Sequence, residues 1–394
     1  MPRVSFLLAL VVLSAHISAL AQHSTPGPVD VAYVTRTFYE PQAYDELQAY
    51  DVDPKTGIPT AVGPAFVIAE EGASVMPSPD GHFVYILAWY NNNHEQLRAF
   101  ATDEDGALQE PPVQILNVTN IQYFQIDPNG KFAYAVEETY NDQQQTVATI
   151  LEASVDSVTG LIGNLTKVVG PSMLNGPCGT AWSETGYLRF DGFNADGSKF
   201  YYDWFCTTHD SLSATYFSRD VDVNTGMLGP KTTVLKWAED DSADGVWFTP
   251  RALIHYADPA GVVGDSAVTV FPPSGGLKPL INCGQQMLEA CASNWGAMAD
   301  PAGVFMFLQA TPYDAVVTAI DLATNQLVPN GVHIPRSVQQ LSPDRALLYT
   351  YAYNYRNPSY MTIYVFDPTT GAVQPGGTIQ IPGDSYSLVS AVRK

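Results

Sequence analysis

The sequence predicts an all-β fold, a seven-bladed β-propeller of four-stranded antiparallel blades whose ring is closed by a C-terminal strand in the first blade. Three observations predict it. A strand-and-turn unit recurs seven times, a second turn motif alternates with it, and the composition favours short strands over long helices. Only 15% of the 394 residues are charged, whereas 30 Gly and 29 Pro punctuate the chain, as a fold built on tight turns requires. One large domain suits this length better than two, because no linker interrupts the repeats.

The first residues stand apart from the repeats. Arg3 precedes the apolar run 6–12, and Ala19-Leu20-Ala21 supplies the small-x-small pattern of a signal-peptide cleavage site. Residues 1–21 are therefore read as a signal peptide and 22–394 as a single propeller domain. No later apolar run reaches the ~18 residues a membrane helix needs, so a secreted or periplasmic product is expected. Forty acidic residues against 18 basic ones give a net charge of -22, which repels phosphate backbones and anionic lipid. The expected partner is a small-molecule, glycan or protein ligand, with no nucleic acid and no membrane, and the chain is expected to be a monomer.

The repeat begins at 47–57, a β-rich run that ends in Asp53-Pro54-Lys55-Thr56-Gly57, and returns at 97–106, 149–160, 216–226, 267–276, 317–326 and 361–371. Between these copies lies Ser78-Pro79-Asp80-Gly81, echoed by Asp127-Pro128-Asn129-Gly130, Ala195-Asp196-Gly197, Asp300-Pro301-Ala302-Gly303 and Ser342-Pro343-Asp344, with a degenerate copy near Thr249-Pro250. Both motifs are hairpin turns, since Pro presets one dihedral angle and Gly or Asn accepts a positive φ. Strands beside them alternate, as in Phe132-Ala133-Tyr134-Ala135-Val136. Four strands per repeat, A to D, with these turns at A-B and C-D, describe a propeller blade.

The two ends complete the pattern. The run 29–35, Val-Asp-Val-Ala-Tyr-Val-Thr, reads as a strand B with no strand A before it, and 387–392 reads as an orphan strand A. Pairing them hides two strand edges. The run Tyr33-Val34-Thr35-Arg36, with the Asp-Pro-x-Thr-Gly and Ser-Pro-Asp-Gly turns, resembles the secreted seven-bladed propellers of the lactonase-like, Tyr-Val-Thr-Asn repeat family. The resemblance covers nearly all of 22–394 and implies the fold. Arg36 stands where Asn is usual, and the segment 160–196 is expanded, so the family's activity does not transfer residue by residue.

Strand parity puts the repeated A-B and C-D turns on one face, called smooth here, and the irregular B-C and D-A connections on the other. Function usually sits on irregular loops carried by a regular scaffold. All four cysteines fall at that irregular face, and in an oxidising compartment the pairs Cys178-Cys206 and Cys283-Cys291 are expected. Aromatic residues recur in the B-C connections. Arg36, Trp89, Tyr90, Tyr140, Trp204, Tyr256, Tyr313 and Tyr355 are the candidate ligand-binding residues, because aromatic faces among amides and carboxylates suit a sugar ring, a peptide or a flat lactone. The same rings would equally serve to pack one blade on the next.

His94, His209, Asp210 and Glu137 are the candidate general bases for activating water on a lactone, with Arg356 or Arg36 steadying the oxyanion. Other chemistries lack their motifs. There is no Gly-x-Ser-x-Gly elbow, and Arg98 stands where a zincin needs its second His. Asp240-x-Ser242-x-Asp244-Gly245 opens like a calcium loop, but Arg251 replaces the twelfth-position Glu. No metal and no cofactor are expected. A phosphorylated lactone is disfavoured by the absence of a basic cluster. Two functions remain: a lactonase-like propeller that binds a small neutral ligand and hydrolyses a sugar-type lactone, and a non-catalytic extracellular scaffold for protein or polysaccharide.

Overall fold

The computed structural model describes residues 29–38, 43–70, 72–90, 94–140, 142, 146–173, 185–207, 212–239, 241–259, 267–272, 281–282, 297–311, 314–324, 326–335, 337–352, 359–381 and 385–393. The segment 1–21, expected from the sequence to be a signal peptide, lies outside them. In chain order the strands are β1 (Val29–Phe38), β2 (Tyr44–Val52), β3 (Pro59–Ala69), β4 (Gly72–Pro77), β5 (Phe83–Tyr90), β6 (His94–Ala101), β7 (Gln114–Val118), β8 (Ile121–Ile126) and β9 (Phe132–Tyr140). Then come β10 (Thr146–Ser154), β11 (Thr166–Met173), β12 (Thr185–Phe193), β13 (Lys199–Thr207), β14 (Leu212–Asp220), β15 (Thr232–Glu239), β16 (Asp241–Phe248), β17 (Leu253–Pro259), β18 (Ala267–Phe271) and β19 (Ile281–Asn282). The last are β20 (Ala297–Ala299), β21 (Phe305–Thr311), β22 (Asp314–Asp321), β23 (Gln326–Ile334), β24 (Ser337–Leu341), β25 (Leu347–Ala352), β26 (Ser359–Phe366), β27 (Val373–Ile381) and β28 (Ser385–Arg393).

These strands form seven four-stranded sheets of consecutive strands, except that β28 joins β1, β2 and β3. Strand β28 runs antiparallel to β1, with Ala32 opposite Ser390 and Val34 opposite Leu388. The first strand of each sheet touches the first strand of the next, in the order β28, β4, β8, β12, β16, β20, β24 and back to β28. The architecture is an all-β propeller of four-stranded antiparallel blades.

The period of two in a strand sends alternate side chains to opposite neighbours. In β9, Phe132, Tyr134 and Val136 pack with Phe200, Tyr202 and Trp204 of β13. Ala133 and Ala135 pack with Tyr85 and Leu87 of β5. Both faces of a B strand are thus buried, which is why it reads as a nearly continuous apolar run. Tyr134 and Phe200 stack with centroids 5.4 Å apart, and truncating a fully buried ring such as Phe200 costs about 3–5 kcal/mol.

The turns of the smooth face are held by short polar side chains. At an A-B turn, Asp127 accepts from the backbone N–H groups of Asn129, Lys131 and Phe132. In C-D turns, Asp53, Asp156, Asp222, Asp321 and Asp367 do the same locally, which holds their carboxyls below the usual range. Gly226 has φ +73°, and a Cβ there would stand 2.6 Å from the Phe132 ring of the preceding blade, so the turn glycine is also a packing surface. Tyr134 then donates from its hydroxyl to the Gly226 carbonyl at 2.7 Å. At the A-B turn of the seventh blade Arg345 stands in place of glycine: it takes φ +66°, and its Nε and Nη2 each lie 2.6 Å from an oxygen of the buried Asp300 in the preceding blade.

Candidate functional site

The innermost strand of the fourth blade, β12, carries Arg189 and Asp191 among apolar residues. On β12, Leu188 and Phe190 pack toward the third blade, and strand parity turns Arg189 to the opposite side. Asp203 follows the same rule on β13, where it pairs in register with Arg189 while Tyr202 and Trp204 face the third blade. The Arg189 guanidinium donates to both Asp203 oxygens, from Nε at 3.2 Å and Nη2 at 2.5 Å. Asp203 has no exposed surface, whereas the Arg189 side chain is 40% exposed. A sealed carboxylate therefore orients a cation that still reaches solvent.

Asp191 adds a second acid. The register shifts between Phe190 and Gly192 as β12 passes β13, and Asp191 is the extra residue of that bulge. Its Oδ2 is sealed from solvent and has no hydrogen-bond partner. Burial, then the nearby Asp203 charge, pushes the Asp191 carboxyl well above the usual range, against the pull of Arg189. Burial also raises Asp203, while its bonds to Arg189 act the other way. Two neighbouring carboxyls cannot both ionise cheaply, so pairing with Arg189 favours the charge on Asp203 and the proton on Asp191. The buried Tyr216 feels both acids and is raised further, mainly by burial. A proton donor, a carboxylate and a cation on one inner strand pair are the elements of acid-assisted attack on a carbonyl.

Those sequence-predicted residues whose side chains the structure describes lie elsewhere. Arg36 donates to Glu46 at 2.6 Å, directly across the β1-β2 pair. Trp89 is half-buried and packs on the cluster between the second and third blades. Tyr90 donates to the Ile68 carbonyl at 2.7 Å and carries Arg98 5.0 Å above its ring. Glu137 lies 3.7 Å from the Lys167 ammonium. Tyr140 is 73% exposed at the end of β9, whereas Trp204 is a core residue at 6%. His94, Cys206 and Tyr256 sit on β6, β13 and β17, where only their backbone is described. His209, Asp210, Tyr313, Tyr355, Arg356, Cys178, Cys283 and Cys291 lie outside the described residues, as do both expected disulfides.

This inner cluster lies on strands, whereas the sequence pattern points to loops for chemistry. Its signal was present: Asp203 is the single charge in Phe200-Tyr201-Tyr202-Asp203-Trp204-Phe205, and a charge inside a buried strand demands a partner.

No family model matches the sequence, and no curated protein matches it. Solved structures match the fold. A candidate 6-phosphogluconolactonase from Bacteroides fragilis NCTC 9343 superposes with a TM-score of 0.55 at 14% identity, over 93% of this chain and 99% of its own. A second, from Bacteroides uniformis ATCC 8492, gives 0.52 at 14% identity over 91% and 99%. The periplasmic gluconolactonase of Pseudomonas aeruginosa gives 0.52 at 14% identity over the same shares, 91% and 99%. The fold is lactonase-like. At these identities the likeness concerns the fold.

Proposed function

We propose that this protein is an exported lactonase-like propeller of seven blades, closed into a ring by β28, which holds a small neutral ligand at its irregular face and hydrolyses a sugar-type lactone. The observation that carries the activity is the Arg189, Asp191 and Asp203 cluster on an innermost strand pair. Arg189 stabilises the oxyanion as water adds to the lactone carbonyl, and Asp203 fixes its guanidinium in place. Asp191, whose proton burial beside Asp203 favours, donates to the ring oxygen as the carbon–oxygen bond breaks, and the proton given up by the attacking water returns to it. His94, His209, Asp210, Glu137 and Arg356, with the rings of Trp89, Tyr90, Tyr140, Tyr256, Tyr313 and Tyr355, are proposed to contact the ligand from the irregular face.

A neutral substrate is favoured over a phosphorylated one by the net charge of -22 and by a cluster whose single cation is already paired. Export is supported by the leader-like residues 1–21, and one structural neighbour is itself periplasmic. The pairs Cys178-Cys206 and Cys283-Cys291 remain part of the proposal, to be read by non-reducing peptide mapping. The test is a lactone panel run on the parent, Arg189→Ala and Asp191→Asn beside a glycan array. Parent turnover that falls by about a hundredfold or more in either variant is the expected result. Glycan binding with no hydrolysis by the parent would establish the scaffold instead, a reading that the exposed Tyr140 ring favours.

A further inference from the structure

Three successive blades place a tyrosine at the same point on strand B, and one of the three junctions is built differently. Tyr33, Tyr85 and Tyr134 each follow by two residues the side chain that packs under a C-D turn glycine of the next blade: Val31 under Gly106, Phe83 under Gly160 and Phe132 under Gly226. Tyr33 donates to the Gly106 carbonyl at 3.0 Å and Tyr134 to that of Gly226 at 2.7 Å. Tyr85 is only 1% exposed, yet its hydroxyl has no partner. It lines a cavity of about 180 Å³ instead, on the smooth face between the second and third blades. Tyr349 also lacks a partner, but there the turn carbonyl of Gly57 is already taken by the Gly377 N–H at 2.9 Å.

The geometry points to a second binding site in this cavity, separate from the lactone site, for a small neutral polyhydroxy molecule. Its size sets the class. At ~30 Å³ per liquid water the space exceeds one bridging water, and it is smaller than the ~300 Å³ at which pockets for larger ligands begin. Its chemistry narrows the class further. The Tyr85 O–H needs an acceptor, and burial with the nearby charges of Asp80 and Asp156 keeps it protonated. Asp80 also lines the cavity, and its Oδ1 is held by the Ser78 hydroxyl at 2.6 Å and the His82 N–H at 3.1 Å. A carboxylate excludes anions and calls for donors, so a ligand that both accepts and donates through hydroxyls satisfies both groups. Pro79, Pro128 and Phe83 offer the apolar walls on which the CH faces of a polyol rest.

The experiment titrates the full chain with glycerol, erythritol, glucose and galactose by saturation-transfer NMR, using the parent, Tyr85→Phe, Asp80→Asn and, at the irregular face, Trp89→Ala. At least one probe is expected to bind the parent at roughly millimolar affinity. Tyr85→Phe and Asp80→Asn each weaken that binding by about fivefold or more, and Trp89→Ala leaves it unchanged. Tyr85→Phe should keep the parent Tm, since it removes a hydroxyl that bonds to nothing; should it fail to fold, Asp80→Asn decides alone. Three outcomes overturn the site: no probe binds the parent, so the cavity holds ordered water only; binding survives both smooth-face variants; or binding is lost only in Trp89→Ala.

Discussion

At the smooth face Asp127 accepts three backbone N–H groups and Asp300 accepts from Ala302 and Val304 while receiving Arg345. In the inner strands of the fourth blade, Asp191 keeps an oxygen sealed with no partner. The same residue type thus closes a turn in one region and stores a proton in the other. The difference is one of compensation. A carboxylate that gathers N–H donors is stabilised as an anion, while one buried beside a second acid is held neutral.

Four experiments press on this contrast. The largest effect is expected from removing residues 385–394, which deletes β28 and bares the edge of β1. The truncated chain should lose its cooperative thermal transition and aggregate, seen by circular dichroism and size-exclusion chromatography. A monomer with the parent Tm would break the architectural half of the comparison. Next comes Asp300→Ala, which strips Arg345 and two backbone donors of their acceptor at a fully buried site. A loss of about 3 kcal/mol is expected in urea unfolding.

Asp30 sharpens the comparison, because it is a smooth-face carboxyl that behaves like the inner acids. It is buried and one of its oxygens has no partner. Burial, with Asp344 and Asp51 nearby, raises its pKa to about 7. Below pH ~4 the folded and unfolded chains both carry this proton, and the group is neutral to stability. As pH climbs toward 7 the unfolded chain ionises first, so the folded state is increasingly disfavoured. Asp30→Asn should therefore match the parent at pH 3 and exceed its stability by roughly 2 kcal/mol at pH 8, read from unfolding curves at both values. The smallest effect belongs to Tyr140→Ala. That ring is exposed, so Tm should stay within ~0.5 kcal/mol equivalents while any glycan signal falls.

The turns were legible because their chemistry is local: Asp127, Pro128, Asn129 and Gly130 specify their own hydrogen bonds within a few residues. The terminal strand was legible too, since 387–392 matched no later partner and 29–35 lacked an earlier one. Arg189 and Asp203 were not legible in that way. They meet only because β12 and β13 pair in a particular register with a bulge at Asp191, and neither spacing nor motif announces a bulge. Trp204 shows the opposite limit. An aromatic at a strand end reads the same whether it meets a ligand or, as here, the core of the adjoining blade.

Arg345 bears on how the chain finds its own order. The corresponding turns of four other blades carry Gly81, Gly130, Gly197 and Gly303, which leave the slot nearly identical among them. Chains assembled from similar units are prone to joining the wrong neighbours. A left-handed arginine is locally unfavourable, and the two bonds to Asp300 offset that only when the sixth blade is the one alongside. The turn thereby acts as a key cut for one lock, disfavouring a skipped or swapped unit at that junction during folding.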